Sequence, residues 1–229
     1  MRDLLTLGIE TSGKTASAAL FEDEIMLGQT SVMTARTHSQ VILPMVKKLV
    51  SDCEKDMKAI DRIAVGNGPG SYTGIRIGVA AVKAMAFALG IECCGISTLE
   101  GLAYNFPADG IVCPVMKARQ KLVYAGVFRF CGCTAKRLEK DVIIESEKLY
   151  DILCSCNENI ILTGDGAVDF LSEFNDTKFS LSPQHLRNQS AAGICQAAFH
   201  HEFYAPERLE ASYLQLVKAE KDLINLNAG

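Results

Sequence analysis

The 229-residue chain is 48% hydrophobic with a formal net charge of −4, enough apolar material for one large core or two smaller ones and no general attraction for a polyanion. No Lys/Arg run with interleaved aromatics is present, so a nucleic acid would be reached only with help from another chain. The N-terminal MRDLLTLGIETSG holds a strand-length apolar run behind Arg2 and Asp3, which predicts no signal peptide; no stretch approaches the ~20 apolar residues of a membrane span, and a cytoplasmic location is expected.

Residues 4–9 and 16–21 read as strands joined by the turn ETSGK (10–14), with a third strand over 24–33. Thr37 and Gln40 have capping-box spacing, and Val41, Ile42, Met45, Val46, Leu49, Val50 and Cys53 recur at helical period behind them. A buried strand at 63–65 runs into NGPGSYTG (67–74) and a helix to Leu89 stopped by Gly90. A strand at 92–96 and a helix from about residue 97 complete the first half. The cluster FPADG (106–110) is the expected boundary between a lobe over 1–106 and a second over 107–229. Beyond it, 111–116, 123–130, 141–145 and 160–163 read as strands, and 147–156 and 190–203 as helices; the tail after Glu207 has no clear assignment. The order implies mixed sheets with helices on their faces.

Gly68, Pro69, Gly70, Ser71, Thr73 and Gly74 form the motif loop. Its spacing excludes both the phosphate-cradling P-loop and a true GxGxxG, and leaves a strand, a glycine-dense turn with hydroxyls able to cap a helix, and a helix N-terminus. In the helix behind it, Gly74 and Gly78 each cost about 1 kcal/mol against alanine, which close approach by another element would offset. That element is either a neighbour in the same chain or a partner helix; with a partner, Gly74, Gly78, Ala81, Val82 and Met85 would line the contact with Arg76 at its rim.

Catalytic constellations are sparse. His38, His185, His200 and His201 have no two-ligand spacing, no nucleophilic triad can be argued, and no metal site is expected. The nine cysteines are odd in number and irregularly spaced, which reads as reduced thiols used as small apolar fillers; Cys131/Cys133 and Cys154/Cys156 are the pairs a zinc site could be imagined from. The carboxylate of interest is Glu10. Glu10, Thr11 and Ser12 form a possible degenerate phosphate loop of the kind that actin-like and sugar-kinase proteins turn toward nucleotide and magnesium, and TGDGA (163–167) is the one stretch resembling a second such loop.

IETSG (9–13), THSQVILPM (37–45), VGNGPGSYTGIRIG (65–78) and GISTLE (95–100) resemble the TsaB (YeaZ) family of bacterial tRNA threonylcarbamoyladenosine biosynthesis subunits. The resemblance is strong over about the first 105 residues. It implies an α/β, actin-like (ribonuclease H-like) fold of two lobes, the second degenerate. It further implies a non-catalytic role supporting a TsaD-like catalytic subunit and a TsaE-like ATPase. ATP and metal would sit on those partners and tRNA would be met only through the complex; separately, the apolar helix patch is expected to pair with itself in a homodimer, with a regulatory role, when no partner is present. The implied partner contact is a helical bundle using Val41, Ile42, Met45, Val46 and Leu49 together with the Gly74–Leu89 segment. Three positions depart from the family pattern: Glu10 replaces an Asp, the segment 116–124 lacks two usual acids, and Tyr213-Leu214-Gln215 replaces Tyr-Leu-Arg. A different class of function, an independent ATPase or small-molecule kinase using Glu10, Thr11 and Ser12, is the alternative.

Overall fold

β1 (Leu5–Glu10) is buried along its whole length, as a strand covered on both faces must be. The computed structural model describes residues 3–119 and 121–214. β2 (Thr15–Glu22) and β3 (Ile25–Met33) follow as antiparallel neighbours, and β4 (Arg62–Gly68) and β5 (Glu92–Ser97) add parallel strands, giving the order β3-β2-β1-β4-β5. The connections are α1 (His38–Asp52) and α2 (Tyr72–Leu89). α3 (Thr98–Tyr104) is capped by Ser97, whose hydroxyl accepts from Glu100 N.

The second sheet repeats this plan. β6 (Gly110–Lys117), β7 (Leu122–Cys131), β8 (Thr134–Glu145), β9 (Ile160–Thr163) and β10 (Phe179–Leu181) lie in the order β8-β7-β6-β9-β10, with antiparallel and parallel pairs at the same places as in the first sheet. The two halves are one motif used twice. The sequence discloses no short-period repeat because the duplication survives in strand order while its side chains have diverged. α4 (Ser146–Cys154) and α5 (Ala167–Phe174) cover the outer face of this sheet.

α6 (Ala191–Ala198) turns back to the first sheet, so the first lobe is assembled from two stretches of chain. The layers run α1 and α2, first sheet, α3 and α6, second sheet, α4 and α5. Ile9, Val46, Ile63 and Val82 pack in the outermost core of the first lobe, and Ile96, Leu99, Phe128 and Ile194 fill the space between the sheets. Leu209, fully buried against the first core, anchors the returning segment.

Several local expectations are corrected. The Thr37 hydroxyl bonds Ser39 Oγ at 3.1 Å and caps nothing. The final helix ends at Ala198 where periodicity suggested 203, and β8 begins seven residues earlier than 141. α5 and β10 were not read from the sequence at all. α2 is long and apolar enough, by length and composition, to cross a membrane, contrary to expectation; here it packs one face on the first sheet.

Candidate functional site

The β1–β2 turn and the β4–α2 loop are clamped together at the mouth of the cleft between the lobes. Ser71 N donates to Ser12 O at 2.7 Å, the Thr11 hydroxyl donates to Gly74 O at 2.8 Å, and the Thr98 hydroxyl donates to Ser12 Oγ at 3.1 Å. Ser71 also caps α2 by accepting from Gly74 N at 3.2 Å, as its position in the motif loop suggested; Thr73 is exposed and caps nothing. Gly68 and Gly70 have φ of +124° and +155°, which only glycine adopts without strain, and a Cβ on Gly70 would press on Ser12 O. Pro69 is buried between them.

Glu10 is buried under this clamp. One carboxyl oxygen accepts from Ser12 N at 2.5 Å. The second oxygen is buried with no partner and occupies the space a side chain on Gly66 would need. Burial pushes its pKa above the ordinary carboxylate value, because a charge there has lost its water. The Ser12 amide is thus already bound by the chain's own carboxyl group.

His38, at the start of α1, seals the other side of the turn. Its Nε2 lies 2.9 Å from Gly13 O, and a carbonyl can only accept, so Nε2 carries the proton and the buried Nδ1 has no partner.

A cleft of about 620 Å³ opens in front of the turn, lined by Lys14, Tyr72, Lys117, Arg119, Tyr124 and Tyr213 among others. Lys117 pairs with Asp169 at 2.7 Å, and Asp165 accepts from Lys117 N at 3.0 Å. By strand equivalence the counterpart of the 10–14 turn is the β6–β7 connection after Lys117, and TGDGA (163–167) is the counterpart of the β4–α2 loop. Thr98 and Gln189, the latter packed against Gly13, were missed by the sequence reading. Their separations of 86 and 176 residues from the turn leave no local signal.

The glycine notch of α2 faces inward. A Cβ on Gly74 would overlap Thr11 O, and one on Gly78 would overlap the Thr11 hydroxyl. The close neighbour is therefore the chain's own β1–β2 turn. Ile42, Met45, Val46, Leu49, Val82 and Met85 are buried in the same core, and Val41 and Ala81 are half-buried. This corrects the expected contact list, since the apolar stripe that periodicity reveals is the stripe that packs on the sheet. Arg76 is exposed, stacked 4.5 Å over Tyr72. Besides Tyr72, Thr73 and Arg76 in its first turns, α2 exposes Ala80, Ala84, Phe87 and Ala88, and α1 beside it exposes Leu43 and Pro44 with Lys47 and Lys48 following. Lys83, the sole charge between Ile77 and Leu89, reaches back to Glu207 O at 3.3 Å.

The model of the family described as TsaD: tRNA N6-adenosine threonylcarbamoyltransferase matches residues 29–222. TsaB from Buchnera aphidicola is 30% identical over 171 residues, covering 72% of this chain and 80% of that protein. The chain belongs to the TsaB (YeaZ) branch of this family. TsaB from Bacillus subtilis is 36% identical over 125 residues, which are 54% of this chain and 55% of that protein, so the matched stretch spans little more than half of that relative. A Pseudomonas aeruginosa crystal structure, titled as an uncharacterized protein with similarity to peptidase YeaZ, superposes with a TM-score of 0.79 at 25% identity, covering 94% of this chain and all of that one. The fold is the actin-like one in both lobes.

Proposed function

We propose that the chain acts in the formation of threonylcarbamoyladenosine on tRNA as an accessory subunit that docks a TsaD-like catalytic subunit on the outward face of α2 and the neighbouring part of α1. The observation that carries this is the uncharged row Ala80, Ala84, Phe87 and Ala88, with Phe87 54% exposed and Leu43 of α1 43% exposed. An apolar helix face of small residues lets a second helix approach closely and costs solubility unless it is covered. Family membership supports the pathway, since relatives are named as tRNA threonylcarbamoyladenosine biosynthesis proteins.

The turn at Glu10, Thr11 and Ser12 supports an accessory role: with Ser12 N already bound by the buried Glu10 carboxyl group, ATP and its metal would be handled on the TsaD-like subunit and a TsaE-like ATPase, with tRNA met in that cytoplasmic assembly. In the absence of the partner, the same helix face would pair with a second copy. The test is complementation of a strain lacking the gene, with threonylcarbamoyladenosine quantified in bulk tRNA. The unmodified chain restores the nucleoside, and Ala84→Glu, exposed and remote from the turn, does not. Restoration by Ala84→Glu, or stoichiometric binding of ATP and magnesium by the isolated chain, would overturn the proposal.

A further inference from the structure

Each of the two sheets ends in two edge strands, and three of the four edges are protected. β5 is covered by Tyr204, which exchanges both backbone hydrogen bonds with Cys93 at 2.9 Å. β10 is three residues long. β8 carries Lys136, Arg137, Glu139, Lys140 and Asp141. The fourth, β3, is nine residues of IMLGQTSVM without a charge or a proline, and its one irregularity lies near its start, opposite Leu20 and Phe21. Ile25 is 71% exposed, Met33 66%, Met26 51% and Val32 36%. A long edge without charge or proline, and with no covering segment among the described residues, is what soluble proteins avoid unless something pairs with it.

We infer that β3 is a second docking edge of this chain, distinct from the helix face of α2, and that its occupant is β3 of a second copy, added antiparallel to make a continuous sheet across a two-fold axis. The ends of the strand are complementary under that operation. Asp23 and Glu24 form the turn before β3, and Arg36 lies in the bend after it; neither Glu24 nor Arg36 makes an ion pair among the described residues. A two-fold axis at Thr30 sets Gln29 opposite Ser31 and Gly28 opposite Val32, and brings the acidic turn of each copy beside Arg36 of the other. Parallel addition, or pairing with an unrelated strand, lacks this match. A groove of about 510 Å³ flanks one face of the strand, between Met26, Gln29 and Met33 on one side and Asn188, Ser190 and Gln196 on the other, with room for the incoming strand's side chains. Backbone pairing supplies affinity, and the end charges set direction and register.

The test is sedimentation equilibrium of the full chain over a concentration series. An Ala84→Glu background removes any pairing through α2, and thermal melts confirm that each variant is folded. A dimer persists in that background; Val32→Lys and Arg36→Glu each raise its dissociation constant at least tenfold, and Glu24→Arg with Arg36→Glu together bring it back to within about threefold. A monomer at every concentration, which would leave the edge to a strand of another protein, overturns the inference. So does a dimer indifferent to Val32→Lys, or a charge exchange that fails to rescue.

Discussion

Replacing Gly78 or Gly74 by alanine separates a helix notched for its own turn from one notched for a partner. A Cβ at Gly78 overlaps the Thr11 hydroxyl and lies 3.3 Å from Val65. Thr11 is fully buried, so its hydroxyl cannot swing into water and loses the 2.8 Å bond to Gly74 O. Leaving that buried pair unmade costs about 1–3 kcal/mol, and crowding against Val65 about 1–3 more. The gain in helix propensity returns about 1 kcal/mol. The net loss is about 1–5 kcal/mol, or roughly 2–20 °C in Tm for a chain of this size. Gly74→Ala should cost more, because the overlap is with backbone and the whole turn must move. Ala80→Gly, on the exposed face of the same helix, should cost only about 1 kcal/mol. Urea unfolding of the three variants gives the order directly. If Gly78→Ala were as stable as the unmodified chain, the inward notch would be refuted.

Burial raises the pKa of Glu10, so stability conferred by its protonated form is present below the unfolded-state carboxylate pKa and is lost as pH rises through the higher folded value. Glu10→Gln should flatten that loss and unfold at higher urea than the unmodified chain at pH 7.5, with little difference near pH 4. His201 Nε2 lies 2.9 Å from Glu100, which also holds Arg137 at 2.8 Å. Its pKa is raised by that hydrogen bond, so its contribution is full below the unfolded histidine value and fades as pH climbs past the folded one. His201→Gln should cost under about 1 kcal/mol at pH 6 and nothing measurable at pH 9, since the imidazole is partly exposed. Leu209→Ala should cost about 2–5 kcal/mol by leaving a cavity where the returning segment is pinned, read as a fall in the urea midpoint.

The sequence carried the first lobe further than the second for identifiable reasons. The run from Val65 to Gly78 announces a strand, a capped turn and a helix through residue types that each have a local cause, and Ser71 and Gly90 sit at the two caps as those causes require, Gly90 with φ of +68°. Residues 134–140 alternate among Thr, Ala, Lys, Arg, Leu and Glu on an edge that water covers, so no apolar period marked them as strand. α5 and β10 are too short to build a period. The orientation of the two helices was misread for a more general reason. Periodicity tells which side chains share a face, and glycine tells that something comes close, but neither names the neighbour. For Ile42, Val46 and Gly78 it is the same chain's sheet and turn, and the surface left for others is the opposite side, where alanines at 80, 84 and 88 give almost no sequence signal. Likewise Glu10 has the place of a phosphate-loop acid, yet its side chain folds back onto Ser12 N.

The most direct measurement is calorimetric titration of the TsaD-like subunit from the same genome into the unmodified chain and into Ala84→Glu. A carboxylate buried unpaired in the helix interface costs several kcal/mol, so affinity should fall at least a hundredfold while the Tm of the variant is unchanged. Equal affinity for both proteins would place the docking surface elsewhere and contradict the role assigned to the outward face of α2.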